Sequence, residues 1–118
     1  MNEQIAKVLL EKRAVTLNAK DPFTYVSGIR SPIYCDNRQM IAYPEEREQI
    51  IDAFINKSQD YEFDIVAGTS TAGIPWASWI SDKLNKPMAY IRGAKKGHGA
   101  GNQIEGANVN GEKVLIVE

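Results

Sequence analysis

Apolar positions recur at helical spacing over residues 3–13, where Ile5, Val8, Leu9 and the stem of Lys12 share one side, with Asn2 as a candidate N-cap. From Ala14 to Leu17 the pattern changes to a short β segment. Asp21 and Pro22 mark a turn, and apolar segments 23–26 and 31–35 flank a bend at Ser27 and Gly28, so the two segments are expected to form a hairpin. Pro44 suits a first helical turn, where its missing N–H costs no bond, and Glu45 and Glu46 complement the positive end of the helix. That helix is predicted to reach about Lys57 and to bury Ile50, Ile51, Phe54 and Ile55.

The second half reads differently. A continuous apolar strand at 63–67 meets a glycine-bounded turn at 68–73, then a helix to about Leu84 that buries Ala77, Ile80 and Leu84 with one or both tryptophans. Strands follow at 87–92, near 103–109 and, after an Asn110-Gly111 turn, at 113–118. Strand, turn, helix and strand make a βαβ unit, so a parallel sheet with right-handed crossovers is expected. The last strand reads as buried with no crossover helix after it, so the chain is expected to be the N-terminal part of a longer protein.

Composition narrows the classes. At 118 residues the chain suits one domain with its own core. A net charge of −1 gives no global electrostatic case for nucleic-acid or membrane binding, so any cation effect must be local. Cys35 is the only cysteine, which excludes an intrachain disulfide and fits a reducing cytosol, so a cytoplasmic location is expected. One Cys and one His leave a structural zinc site unsupported. The N-terminus has no signal-peptide core, and no apolar run approaches the length that crosses a bilayer.

Candidate chemistry concentrates in three places. Residues 92–106 hold five of the nine glycines together with Arg92, Lys95, Lys96 and His98, the chain's only histidine. Glycine adds backbone entropy that folding must remove, so this is expected to be a mobile loop, and its cations point to an anion such as phosphate as what orders it. The competing reading is a solvated connector. His98, on such a loop, is a candidate pH switch or proton donor. The turn Gly68-Thr-Ser-Thr-Ala-Gly73 lies between a buried strand and a helix, where α/β sheets bind ligands. Its small residues let backbone N–H groups approach an anion, and Thr69, Ser70 and Thr71 add hydroxyls. It is not a Walker A loop, since Ile74-Pro75 stands where Lys-Ser/Thr is required. A plain tight turn with a Thr or Ser N-cap explains it equally well. Glu118 ends an apolar strand, where a carboxylate meets either ribose hydroxyls or a hydrated metal ion, or is merely an exposed terminal residue. Tyr34 and Arg38 follow a predicted strand and are candidates to border a pocket, while Trp76 and Trp79 read as core or interface.

Taken together and in order, Phe23-Thr-Tyr-Val-Ser-Gly28, Ser31-Pro-Ile-Tyr-Cys-Asp-Asn-Arg38, Ala67-Gly-Thr-Ser-Thr-Ala-Gly-Ile-Pro75, Tyr90-Ile-Arg92, Lys96-Gly-His-Gly99 and Gly101-Asn-Gln-Ile-Glu-Gly106 resemble bacterial orotate phosphoribosyltransferases. The resemblance covers essentially the whole chain. It implies the α/β type I phosphoribosyltransferase fold: a single domain over 1–118, C-terminally incomplete, with about 1–40 in a small hood and about 41–118 in a parallel-sheet core carrying mobile loop 92–106. It implies transfer of phosphoribosyl from phosphoribosyl pyrophosphate to orotate, giving orotidine monophosphate and pyrophosphate in pyrimidine synthesis. It also implies Mg²⁺ accompanying the pyrophosphate, and a homodimer whose loops each serve the neighbouring subunit. No nucleic acid or membrane partner is implied.

By the same resemblance, Lys96 and His98 are the catalytic residues, and Arg92, Lys96 and His98 bind the pyrophosphate moiety in the partner subunit, with Lys95 their neighbour. Thr69, Ser70, Thr71, Ala72 and Gly73 lie along the pyrophosphate, and Glu118 is the first acid of the diphosphate-sugar motif. No residue is expected to ligate the metal directly. Val26 and Gly93 stand where some members carry lysines. A purine phosphoribosyltransferase and a non-catalytic nucleotide-binding regulator of the same fold are the alternatives; the hood residues 23–38 argue against the first.

Overall fold

In a computed structural model of the chain, which describes residues 3–94, 97 and 101–118, two compact units form, Met1–Ala53 and Phe54–Glu118. In the first, α1 (Glu3–Glu11) buries Val8. It ends where Arg13 takes a left-handed conformation (φ 58°). The Lys12 ammonium then meets the Glu46 carboxylate at 2.7 Å and lies 4.7 Å from the centre of the Tyr43 ring. The Glu46 hydrogen bond raises the Lys12 pKa, and that same bond holds the Glu46 carboxyl below its ordinary value.

Strand β1 (Val15–Leu17) follows, then β2 (Phe23–Thr24), β3 (Arg30–Ser31) and β4 (Ile33–Cys35). The expected hairpin needs correction: β2 pairs with β3, whereas β4 pairs antiparallel with β1. Pro32 divides the two segments, since it has no N–H to continue one ladder. Its carbonyl instead accepts from Asn18 (2.7 Å), extending the β1–β4 ribbon. A 3₁₀ helix (Asn37–Ala42) is capped by the Asp36 side chain, which accepts from the Arg38 N–H, and it buries Met40 completely.

Helix α2 (Pro44–Ser58) begins at the proline as expected and runs across the division between the units. Ile50 and Ile51 are buried, but Ile55 is half-buried and Phe54 exposed, so the buried stripe is narrower than its spacing predicts. The Phe54 ring instead lies near that of Trp76 (6.4 Å between centroids), partly covering a neighbour.

The second unit is a four-stranded sheet in the order β7-β6-β5-β8. Strand β5 (Ile65–Thr69) runs parallel to β6 (Met88–Ile91) and to β8 (Val114–Val117), and β7 (Ile104–Gly106) is an antiparallel edge beside β6. Residues 65–68 are all buried, which explains why the sequence shows an unbroken apolar run there. The strand starts two residues later than that run, because Asp64 is occupied at its mouth: its N–H donates to the Lys113 carbonyl (2.8 Å) and its carboxylate accepts from the Lys113 N–H (3.1 Å). Ile65, Ala67 and Ala89 form the centre of this core, with Ile91, Ala107, Val109 and Val114 packed against it.

Helix α3 (Gly73–Leu84) buries Trp76, Ala77 and Ile80; Leu84 and Trp79 are half-buried, the two indoles meeting edge to face at 5.5 Å. Strand β7 is shorter than the expected 103–109. Gly106 ends it at φ 95°, where a Cβ would stand 2.6 Å from the Met88 carbonyl oxygen, so only glycine fits. The last three residues of the expected loop 92–106 therefore belong to a strand. No helix among the described residues is long and apolar enough to cross a membrane.

Candidate functional site

Three strand ends converge around one turn. Strand β5 carries the chain to Thr69, and the turn to α3 is fastened on both sides. The Ser70 N–H donates to the carbonyl of Ile91 at the end of β6 (2.8 Å). On the other side Gly73 lies so close to β8 that a Cβ on it would collide with the Val117 carbonyl oxygen. Within the turn, a Cβ on Gly68 would stand 2.7 Å from the Gly73 carbonyl oxygen and 2.8 Å from the Ile74 Cα. The two glycines bounding the motif are thus required by close backbone approach. The Ser70–Thr71 peptide is cis.

Ser70, Thr71 and Ala72 are exposed and Thr69 is half-buried, its hydroxyl lying against Gly73, so the middle of this turn is open to solvent at the carboxyl end of the sheet. The expected Thr or Ser N-cap is replaced by Ala72, which makes no side-chain cap bond. Pro75 has no N–H, and the Ile74 N–H turns back to the Thr71 carbonyl (3.3 Å). The turn hydroxyls are therefore not consumed in capping the helix, and the helix end contributes a positive partial charge.

Arg92 follows β6 directly. Its N–H donates to the Gln103 carbonyl (2.8 Å), and the Gln103 side-chain amide donates to the Arg92 carbonyl (3.2 Å). Its guanidinium Nη1 lies 3.8 Å from Glu105 Oε1 on β7. Neither Gln103 nor Glu105 has a role assigned from sequence. The available signal was strand alternation with opposite charge: Glu105 sits opposite Tyr90 in the β6–β7 register, two residues from the one that pairs with Arg92. Glu118 is exposed immediately after β8, next to the Val117 carbonyl that approaches Gly73. The structure thus gathers Thr69, Ser70, Thr71, Ala72, Gly73, Arg92 and Glu118 at the carboxyl ends of β5, β6 and β8. Lys95, Lys96 and His98, and with them the expected mobility of their loop, lie outside the described residues.

In the first unit, Arg38 grips Asp36 through two hydrogen bonds, Nε to Oδ1 (2.7 Å) and Nη2 to Oδ2 (3.0 Å). The Arg38 bond lowers the Asp36 pKa, and the Asp36 bond raises that of Arg38. The Tyr34 ring lies near Phe23 (5.6 Å) and Tyr25 (6.4 Å), whose hydroxyl donates to the Ile33 carbonyl. Val26 at the hairpin tip is fully exposed.

Among the described residues no three His, Cys, Asp or Glu side chains are grouped as a resident metal site requires. Glu118 offers a single exposed carboxylate, which holds a metal ion only together with donors from elsewhere.

The chain is similar to known proteins over nearly its whole length. Residues 39–118 match the phosphoribosyl transferase domain family. An orotate phosphoribosyltransferase of Coxiella burnetii is 56% identical over 98% of this chain, which spans 56% of that relative's length. Among solved structures, UMP synthase of Leishmania donovani superposes with a TM-score of 0.79 at 34% identity, covering 96% of this chain and 24% of that one. An orotate phosphoribosyltransferase of Aeropyrum pernix gives 0.74 at 32% identity, covering 95% and 62%.

Proposed function

Since this chain belongs to the phosphoribosyl transferase domain family, we propose that it is the pyrophosphate-binding part of an orotate phosphoribosyltransferase. The whole protein would transfer phosphoribosyl from phosphoribosyl pyrophosphate to orotate, yielding orotidine monophosphate and pyrophosphate in pyrimidine synthesis. The observation that carries this reading is an uncapped, hydroxyl-rich βα turn beside a strand-end carboxylate at the carboxyl ends of the parallel strands. The activity named for the Coxiella burnetii and Aeropyrum pernix relatives supports orotate as the acceptor.

The chemistry asks for what these residues offer. As the bond from ribose C1 to pyrophosphate breaks and a bond to a ring nitrogen of orotate forms, the ribose gains oxocarbenium character and negative charge grows on the leaving oxygens. Fixed donors aimed at that charge favour the transition state over the ground state. Arg92 supplies one cation and residues 69–73 supply hydroxyl and backbone donors; Lys95, Lys96 and His98 supply the remaining positive charge from the segment after Arg92. We assign Lys96 and His98 the most direct part, with His98 able to hold or give a proton at the leaving oxygen. Glu118 orients ribose hydroxyls or water around the metal. Mg²⁺ bound to the diphosphate would neutralise part of its charge. No covalent nucleophile is required, and Cys35 is not given that role.

We further propose a cytoplasmic homodimer in which residues 92–106 act in the neighbouring subunit. The test is direct. The full-length protein, mixed with orotate, phosphoribosyl pyrophosphate and Mg²⁺, should deplete orotate absorbance and release orotidine monophosphate; absence of that product overturns the assignment. Mixing a Lys96→Ala protein with a Glu118→Ala protein should restore partial activity if the segment works across the dimer, and no activity if it works within one subunit.

A further inference from the structure

We infer that Glu105 is a positioning residue that holds the Arg92 guanidinium ready for a diphosphate. The inference rests on the reading of Arg92 as a pyrophosphate contact. The backbone of Arg92 is already fixed: its N–H and carbonyl both bond to Gln103, at 2.8 and 3.2 Å. What remains free is a long side chain with many rotamers, and ordering it on anion binding would cost affinity. Glu105 meets that side chain from a rigid position. It lies in β7 opposite Tyr90, in a strand end pinned by Gly106, where no Cβ fits against the Met88 carbonyl. A site supported by strand residues keeps its geometry better than one borne on loops alone.

The distance shows what kind of hold this is. At 3.8 Å, Nη1 and Oε1 are within ion-pair range but beyond hydrogen-bond length, so the carboxylate attracts the guanidinium without saturating its donors. The side chains are 37% and 32% exposed, so an incoming anion reaches the pair from solvent. Glu105 thus orients Arg92 and leaves its fork free for phosphate oxygens.

The test is binding of inorganic pyrophosphate with Mg²⁺ to the full-length protein by titration calorimetry at low salt. Glu105→Gln keeps the side chain's size and removes its charge. A partly exposed pair predicts a loss of affinity of about two- to fivefold, with an unchanged melting temperature. On an Arg92→Ala background the same substitution should cause no further loss. Unchanged or tighter binding by Glu105→Gln alone overturns the inference, the latter marking Glu105 as a competitor of the anion. Equal losses in both backgrounds also overturn it, since Glu105 would then act independently of Arg92. If Arg92→Ala itself leaves pyrophosphate binding unchanged, the pyrophosphate role of Arg92 falls and this inference with it. Weakened binding by Arg92→Ala with no effect of Glu105→Gln removes only the inference.

Discussion

In this account the turn at 69–73 and the strand end at Arg92 both serve pyrophosphate, the turn in its own subunit's site and Arg92 in the neighbour's, and they are built in opposite ways. The turn is fixed by backbone crowding: Gly68 and Gly73 sit where any Cβ would meet main-chain atoms, and Ser70 is tied to β6. The Arg92 backbone is tied to Gln103, but among the described residues its guanidinium is held only by the Glu105 side chain, on edge strand β7. A site made of backbone cannot be altered without disturbing the fold, whereas a site made of side chains can be. Stability and activity should therefore fail together at the turn and separately at Arg92.

The largest effect is expected at Gly73. Gly73→Ala forces a methyl group into the Val117 carbonyl, a contact that cannot swing away. Overpacking of this kind costs about 1–3 kcal/mol, so melting temperature and turnover should drop together. A stable but inactive Gly73→Ala protein would break the comparison from one side. Next, Arg92→Ala should lower turnover about 10- to 100-fold, the size expected for a lost charge-assisted hydrogen bond near a developing anion, with little change in melting temperature. A comparable loss of stability would break it from the other side. Lys96→Ala and His98→Ala should likewise slow catalysis far more than they destabilise the protein, as read by turnover against thermal unfolding.

The smallest effect concerns pH and the first unit alone. The Lys12 bond holds the Glu46 carboxyl below its ordinary value, so its stabilisation is fully present above the ordinary glutamate range and is lost as pH falls through the lowered folded value. The melting-temperature gap between wild type and Glu46→Gln should be widest near neutral pH and close in acid. A gap that does not change with pH would assign the effect to packing.

Much of this was legible in the sequence where the deciding physics is local. Pro44 with Glu45 and Glu46 announced the start of α2, and the apolar run before a glycine-bounded turn announced β5 and α3. Pairing is non-local, and there the sequence reading slipped. Segment 31–35 was expected beside 23–26, but Pro32 splits it and its second half pairs with β1, nearly twenty residues away in sequence. The absence of a side-chain cap at Ala72 also had no sequence signal, because three hydroxyl residues stood next to it. Glu105 was missed for a related reason: its partner is Arg92, and the antiparallel return of β7 that brings the two together is a non-local pairing. Residues 69–73, Arg92 and Glu118, drawn from the motifs that carry the family resemblance, lie at the carboxyl ends of β5, β6 and β8, because each motif sits just after an apolar strand in the sequence.

The most direct test of the account sets bases against one another: the full-length protein, one supply of phosphoribosyl pyrophosphate and Mg²⁺, and orotate, adenine, guanine and hypoxanthine offered in turn. The account predicts turnover of orotate and of none of the purines, with the orotate rate falling sharply in Arg92→Ala. Turnover of a purine without turnover of orotate would contradict it.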